Sequence, residues 1–295
     1  MTTRFIVNPA AGGGRCGKRL DALMPTLTAR HAGGEVVRTT AAGHATELAR
    51  QAVADGVDRI VVVGGDGTGF EVLNGLLPAS GPLPELAYLP LGTGNSFIRD
   101  LGIDSEQTAM AALANGSAAP VDVLHAHASE GDFYSINLIS AGFTANVGEV
   151  VNRRFKGLGA LGYVAGVLAR LATLHAPVIP IRLDNGPLDE RGAVLLSLSN
   201  SRCTGGTMAM APNAQIDDGL LDVIRVGPMS RLRLLTAFPR IFAGTHIDMP
   251  EVDAATARTV RIEHESPVDW MVDGEILRRT LAAVTVMPGA VRVVR

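Results

Sequence analysis

Four short runs in the first third of the chain are apolar without alternation, within residues 5–7, 35–39, 60–63 and 86–89. Unalternated apolar runs of this length describe strands buried on both faces, as in a parallel sheet. Between and after them lie segments of helical patterning at 17–29, 45–54, 70–77 and 105–114. Strands and helices alternating at this spacing predict βαβ units with helices on both faces of the sheet. In such a sheet the functional loops lie beyond the carboxyl ends of the strands. Four loops bearing glycine or asparagine fall there, at 8–14, 39–43, 64–69 and 92–95.

Past residue 120 the pattern changes. Short strands at 121–127, 134–139, 178–183, 193–199, 221–226, 260–264, 268–272 and 281–287 are divided by turn residues. That rhythm predicts an antiparallel sandwich or barrel. Helical inserts interrupt it at 146–154, 158–174 and 232–242. No repeat, low-complexity tract or long linker appears. The expected architecture is α/β: a doubly wound N-terminal nucleotide-binding domain over 1–120, then a β-sandwich-like substrate domain over 121–288. Residues 289–295 are expected to return to the first domain, and the active site to lie between the two.

Composition narrows the function. The chain has 295 residues, a net charge of −3 and a pI near 6.2, which argues against a nucleic-acid binder. Two cysteines, Cys16 and Cys203, suit a reducing compartment rather than a disulfide scaffold. The N-terminus runs directly into a strand with no signal-like segment. The most apolar stretch, 158–174, contains Arg170 and several glycines and is too broken to span a bilayer. These features predict a cytoplasmic protein without a transmembrane segment.

The chemistry concentrates in the loops. In Gly64-Gly65-Asp66-Gly67-Thr68-Gly69 a strand passes through glycines into a helix, aiming free N–H groups and the helix dipole at one point. An anion sits well there. Asp66 repels a phosphate, so its presence implies an intervening Mg²⁺ or a proton transfer; otherwise the loop is a tight turn capped by an aspartate. The first loop, Asn8-Pro9-Ala10-Ala11-Gly12-Gly13-Gly14, leads into Arg15, Gly17 and Lys18. It imitates a dinucleotide fingerprint, but its glycines begin four residues beyond the strand. It also imitates a P-loop, but Arg19 stands where the Mg²⁺-binding hydroxyl belongs. What remains is a phosphate-contacting glycine loop or a bare turn. In the fourth loop, Thr93 and Asn95 are N-cap types that could equally contact a nucleotide.

Taken together, Asn8-Pro9, Gly64-Gly65-Asp66-Gly67-Thr68 and the run from Pro90 through Gly92-Thr93-Gly94-Asn95-Ser96 to Arg99 stand in the order of the bacterial diacylglycerol kinase-like lipid kinases. Sphingosine and ceramide kinases are similar to these. The resemblance continues through residues 211–223 and Asp273-Gly274-Glu275, so it covers nearly the whole chain. It implies ATP held by Asn8, Pro9, Ala10, Ala11, Gly12, Thr39, Gly64, Gly65, Asp66, Gly67, Thr68, Thr93 and Asn95. It further implies a structural Mg²⁺ at the 217–220 turn, bound by the Asp218 carboxylate and the carbonyls of Gln215 and Leu220. It places a catalytic carboxylate in Asp273-Gly274-Glu275, across the cleft from the glycine loop. One position departs from the family: Ser96 stands where an aspartate is usual, which weakens the acidic network between structural metal and active site.

The Asp273-Gly274-Glu275 triplet ends the apolar segment Trp270-Met271-Val272, where a carboxylate would be partly desolvated. Glu275 is the expected base, with Asp273 orienting the hydroxyl or sharing the proton; an ordinary acidic hairpin is the bland alternative. His44 reads as a local cap or nucleotide-loop contact. No second His or Cys stands at ligand spacing, which argues against zinc. Asp184, Asp189 and Glu190 read as a solvated turn, and helix 158–174 as core, or as a surface for acyl chains or the membrane. The expected activity is ATP-dependent phosphorylation of a lipid hydroxyl at the inner membrane surface, with Asp66 placing Mg²⁺ and ATP. The alternatives are an NAD kinase-type enzyme, disfavoured because no Asn-Glu element follows the fourth strand, and a catalytically weak nucleotide- or lipid-binding regulator. A homodimer is left open.

Overall fold

The computed structural model describes residues 1–79, 81–142 and 176–295. The helices expected at 146–154 and 158–174 lie outside the described residues. The chain divides into two compact units, Met1–Val121 with Gly289–Arg295, and Asp122–Pro288.

The first unit follows the alternating pattern: β1 (Thr3–Val7), α1 (Cys16–Ala29), β2 (Glu35–Arg38), α2 (His44–Ala54), β3 (Arg59–Gly64), α3 (Asp66–Leu76), β4 (Glu85–Pro90) and α4 (Glu106–Asn115). The strands are parallel in the order β2-β1-β3-β4, and the C-terminal residues add a further parallel strand through Val293 beside Leu86. The connection from β1 leads to one side and the next returns to the other. The β1/β3 boundary is therefore a topological switch point, where such sheets open a crevice beyond the strand ends. Phe5, Ile6, Ile60, Val61, Leu86 and Leu89 are wholly buried, as unalternated apolar strands require.

Two local elements differ from expectation. Helix α3 begins at Asp66 rather than at 70. Gly65 is extended, and its carbonyl accepts from the Thr68 and Gly69 N–H groups, so the glycine loop is itself the first helical turn. An acidic residue there suits the helix dipole. After β4 the N-cap types Thr93 and Asn95 lead into one 3₁₀ turn, Phe97–Arg99, rather than a helix, before α4, which stands where 105–114 was expected and which a Ser105–Thr108 capping box starts.

The second unit is β-rich. Strand β5 (Ala118–Ala128) enters it and pairs with β6 (Phe133–Ser135). There follow β7 (Leu138–Gly142), β8 (Ile181–Leu183), β9 (Leu188–Asp189), β10 (Leu195–Ser199), β11 (Cys203–Thr204), β12 (Met208–Ala209) and β13 (Leu221–Val226). Two short helices, α5 (Arg231–Ala237) and α6 (Arg240–Ala243), precede β14 (Val252–Ala257), β15 (Thr259–Ile262), β16 (Val268–Val272), β17 (Glu275–Arg279) and β18 (Leu281–Val294). Six strands form an antiparallel sheet in the order β14-β13-β10-β7-β16-β17. Leu138, Leu195, Met210 and Met271 build a core on it, and Trp270 is fully buried.

The single strand expected at 134–139 is two, β6 and β7, parted at Ile136 and Asn137. The helix expected at 232–242 is two, with Pro239 between them as the N-cap of α6. Strand β14 was unexpected because its exposed Asp253-Ala254-Ala255-Thr256 carries no period-two signal. Strand β18 runs unbroken through Pro288 and Gly289, past the end expected at 287.

Candidate active site

Three loops meet at the β1/β3 switch point. Asn8, at the end of β1, donates its side-chain amide to Thr68 Oγ1 at 3.2 Å, while its Oδ1 accepts from the Ala10 N–H. Gly12 has φ 60°, and a Cβ there would meet the Leu91 carbonyl oxygen at 2.5 Å. Loop one therefore lies against loop four. Gly92 seals loop four against loop three: its N–H donates to Gly64 O at 2.8 Å, and a Cβ would sit 2.4 Å from Gly65 Cα. Backbone packed this closely leaves no room for a side chain.

Asp66 ties the same two loops through its carboxylate. Its oxygens accept the Ser96 N–H at 2.8 and 3.1 Å, and the Ser96 hydroxyl and Phe97 N–H also bond to it. Burial raises the Asp66 carboxyl above its usual range, and these bonds act against that rise. Ser96, the departure from the family pattern, is buried and donates to Asp66 where an aspartate would repel it.

Thr93 is exposed, and Asn95, at φ 49°, turns its amide onto the Gly92 carbonyl. Thr39 is buried with its N–H on Val7 O. Loop two is held by a residue the sequence reading passed over. Glu71, on α3, accepts from the N–H groups of Gly43 and Ala45. His44 bonds within its own loop, to Thr40 N–H and Oγ1. Cys16 is buried under loop one, where desolvation pushes its thiol up to about 11 and leaves it unreactive.

The second unit holds the other two predicted groups. At the acidic turn, Asp218 is exposed and its Oδ1 accepts the Leu220 N–H, while Gln215 is exposed and Leu220 half-buried. Asp122, also passed over, lies buried beneath the turn with Oδ2 on the Gly219 N–H at 2.6 Å. Burial, and then the like charge of Asp218, raises Asp222 to about 6. Carboxylates crowded on a turn with exposed backbone suit a hard, oxygen-ligated cation, so the donor set fits Mg²⁺.

Asp273 and Glu275 part company. Val272 pairs with Glu275 across a two-residue turn, and both turn residues have positive φ, Asp273 at 46° and Gly274 at 92°. An Asp-Gly pair with this sign is the preferred tight link for twisted strands. The turn buries Asp273, whose carboxylate accepts from Ser135 Oγ at 2.7 Å and from the N–H groups of Ile136, Asn137 and Leu138. Glu275, one residue past the turn, is exposed.

The solvated turn expected at Asp184, Asp189 and Glu190 is more ordered than that. Asp184 Oδ1 accepts from Arg258 and Thr259, and Asp189 pairs with Arg191 and the buried Arg225. The case against zinc also changes, because His125 and His127 lie two apart on β5 and both reach Asp132.

A doubly wound domain with glycine loops converging at its switch point is the layout of a nucleotide-binding domain, and here an antiparallel β-rich domain follows it in the chain. Residues 2–126 match the family described as the diacylglycerol kinase catalytic domain, and residues 137–295 match the YegS C-terminal NAD kinase beta sandwich-like domain. The chain is 30% identical to a diacylglycerol kinase of Mycobacterium tuberculosis, covering 98% of this chain and 94% of that one. It is 32% identical to a probable lipid kinase YegS-like of Stenotrophomonas maltophilia, over 88% and 85% of the two chains. A crystal structure of a diacylglycerol kinase from Bacillus anthracis superposes with a TM-score of 0.73 at 26% identity, covering 99% of this chain and 96% of that one. The chain belongs to the diacylglycerol kinase-like family of ATP-dependent lipid kinases.

Proposed function

We propose that this chain transfers the γ-phosphoryl group of ATP to the hydroxyl of a diacylglycerol-like lipid presented at a membrane surface. The observation that carries this reading is the closure of loops one, three and four upon one another, with Gly92 against Gly65 and Asp66 on Ser96. Phosphoryl transfer needs positioning and charge neutralisation more than covalent help. Backbone N–H groups at the start of α3 and in loop one would receive the phosphates, with Asn8, Thr39, Thr68, Thr93 and Asn95 around them. When bound, Mg²⁺ would neutralise charge on the phosphates and, at the 217–220 turn, staple a loop of the second unit.

Glu275 is the base in this reading. It is exposed at the head of β17, whereas the Asp273 carboxylate already accepts four donors and has the makings of an anchor for the turn. The substrate domain is assigned to residues 121–288 and the ATP domain to 1–120 with 289–295. The test is a kinase assay with labelled ATP on dispersed diacylglycerol and mixed lipids, with NAD as the control acceptor. Label in the lipid phase alone is expected; label in NAD alone would reverse the assignment.

A further inference from the structure

His125 and His127 stand two apart on the strand expected at 121–127, and the fold brings both onto one carboxylate. Residues two apart on a strand share a face, and the two rings lie 4.0 Å apart, centroid to centroid. Asp132 Oδ2 lies 2.9 Å from His125 Nε2 and 3.1 Å from His127 Nδ1. The three ligand atoms all lie within 4.8 Å of one another. A tetrahedral ion with bonds of about 2.0–2.2 Å asks for ligand atoms roughly 3.3 Å apart. The two distances to Asp132 Oδ2 need only open by a few tenths of an ångström to admit one.

The group is also held in advance of any ligand. The Ala128 N–H fixes Asp132 Oδ1, leaving Oδ2 for the histidines. The turn itself is tied down, with the Ser129 N–H on Thr280 O and the Glu130 carboxylate on Thr280 N–H and Oγ1. Tyr134 stacks on the His125 ring at 4.7 Å, setting its plane. His127 and Asp132 are 42% and 45% exposed, so a fourth position opens to water.

We propose that His125, His127 and Asp132 form a binding site for a divalent transition cation of the zinc class, with water in the fourth position. Two imidazoles and one carboxylate suit Zn²⁺ and its neighbours rather than Mg²⁺. The site is thus chemically distinct from the oxygen-only turn at Asp218. The alternative is a plain hydrogen-bonded cluster, with each imidazole donating to Asp132.

The test uses the full chain, stripped of metal and titrated with Zn²⁺ in excess Mg²⁺ by calorimetry. One Zn²⁺ per chain is expected, with a rise in thermal midpoint. His125→Ala and His127→Gln should each weaken binding at least about tenfold, while Asp218→Ala leaves it unchanged. X-ray absorption of the zinc-loaded parent needs no variant and should report two imidazole nitrogens. Absence of saturable binding, an all-oxygen shell, or binding that survives both histidine substitutions would overturn the proposal.

Discussion

Asp273 and Glu275 are the same chemistry two positions apart, and the turn between them gives them different work. Asp273 accepts four donors while buried, so Asp273→Asn leaves donors without an acceptor. That substitution should lower stability by about 1–3 kcal/mol, read as a lower midpoint in urea. Glu275→Gln should leave that midpoint unchanged and reduce kcat at least about a hundredfold, with ATP affinity close to the parent. If instead Glu275→Gln retains full turnover, the base is another group. Asp66 makes a third case. Its carboxylate is buried and raised, so removing the charge relieves a desolvation penalty while one oxygen still accepts from Ser96. Asp66→Asn is expected to keep the thermal midpoint and lose turnover; unchanged activity would remove the glycine loop from the reaction.

At the scale of elements, the close approach of loops three and four depends on a missing side chain. Gly92→Ala would drive a Cβ into Gly65 backbone, which cannot swing away as a side-chain tip can. Overpacking of this kind costs about 1–3 kcal/mol. The midpoint and ATP affinity should therefore fall together, measured by thermal melts with and without nucleotide. In the second unit a cross-strand cluster sets an acid limit. Asp189 is lowered to about 2, first by its hydrogen bond to Arg191 and further by the Arg225 charge. A folded-state pKa below the unfolded one means stability present above about pH 4 and lost as pH falls toward 2. Asp189→Asn should cost about 1 kcal/mol at neutral pH, since the Arg191 partner is exposed and the buried Arg225 stands farther off, at 3.6 Å. Parent and variant melts should converge near pH 2.

For the whole molecule, no helix among the described residues is long and apolar enough to cross a membrane. In the proposed reading the acceptor is met at a lipid surface, by apolar and electrostatic contact. Turnover is expected to rise with the area of dispersed lipid at fixed ATP and to vanish with a fully soluble acceptor. Asp218→Ala should reduce activity and lower the midpoint in Mg²⁺ together, since the turn would lose its staple. Equal midpoints of parent and variant in Mg²⁺ would discard that cation site.

The sequence alone determined the class of fold and the family. Short unalternated apolar runs bounded by glycine loops suit strands buried on both faces, and both the runs and the loops are local signals that need no distant partner. The family motifs are equally local, each a short run that its own residues define. The tertiary structure decided everything that depends on residues far apart in the chain. Asp273 reaches the 135–138 backbone across more than 130 residues, and Asp66 finds Ser96 30 positions away. Neither contact leaves a mark in periodicity. The same holds for Glu71 on loop two and Asp122 under the 217–220 turn, single carboxylates bound to backbone N–H groups that any sequence supplies. Strand β14 was illegible because exposed small residues carry no alternation, and its place comes from pairing with β13. His125 and His127 share a face of the strand already expected at 121–127, but two imidazoles without a third ligand carry little signal. Asp132 joins them because the hairpin turns back at that point.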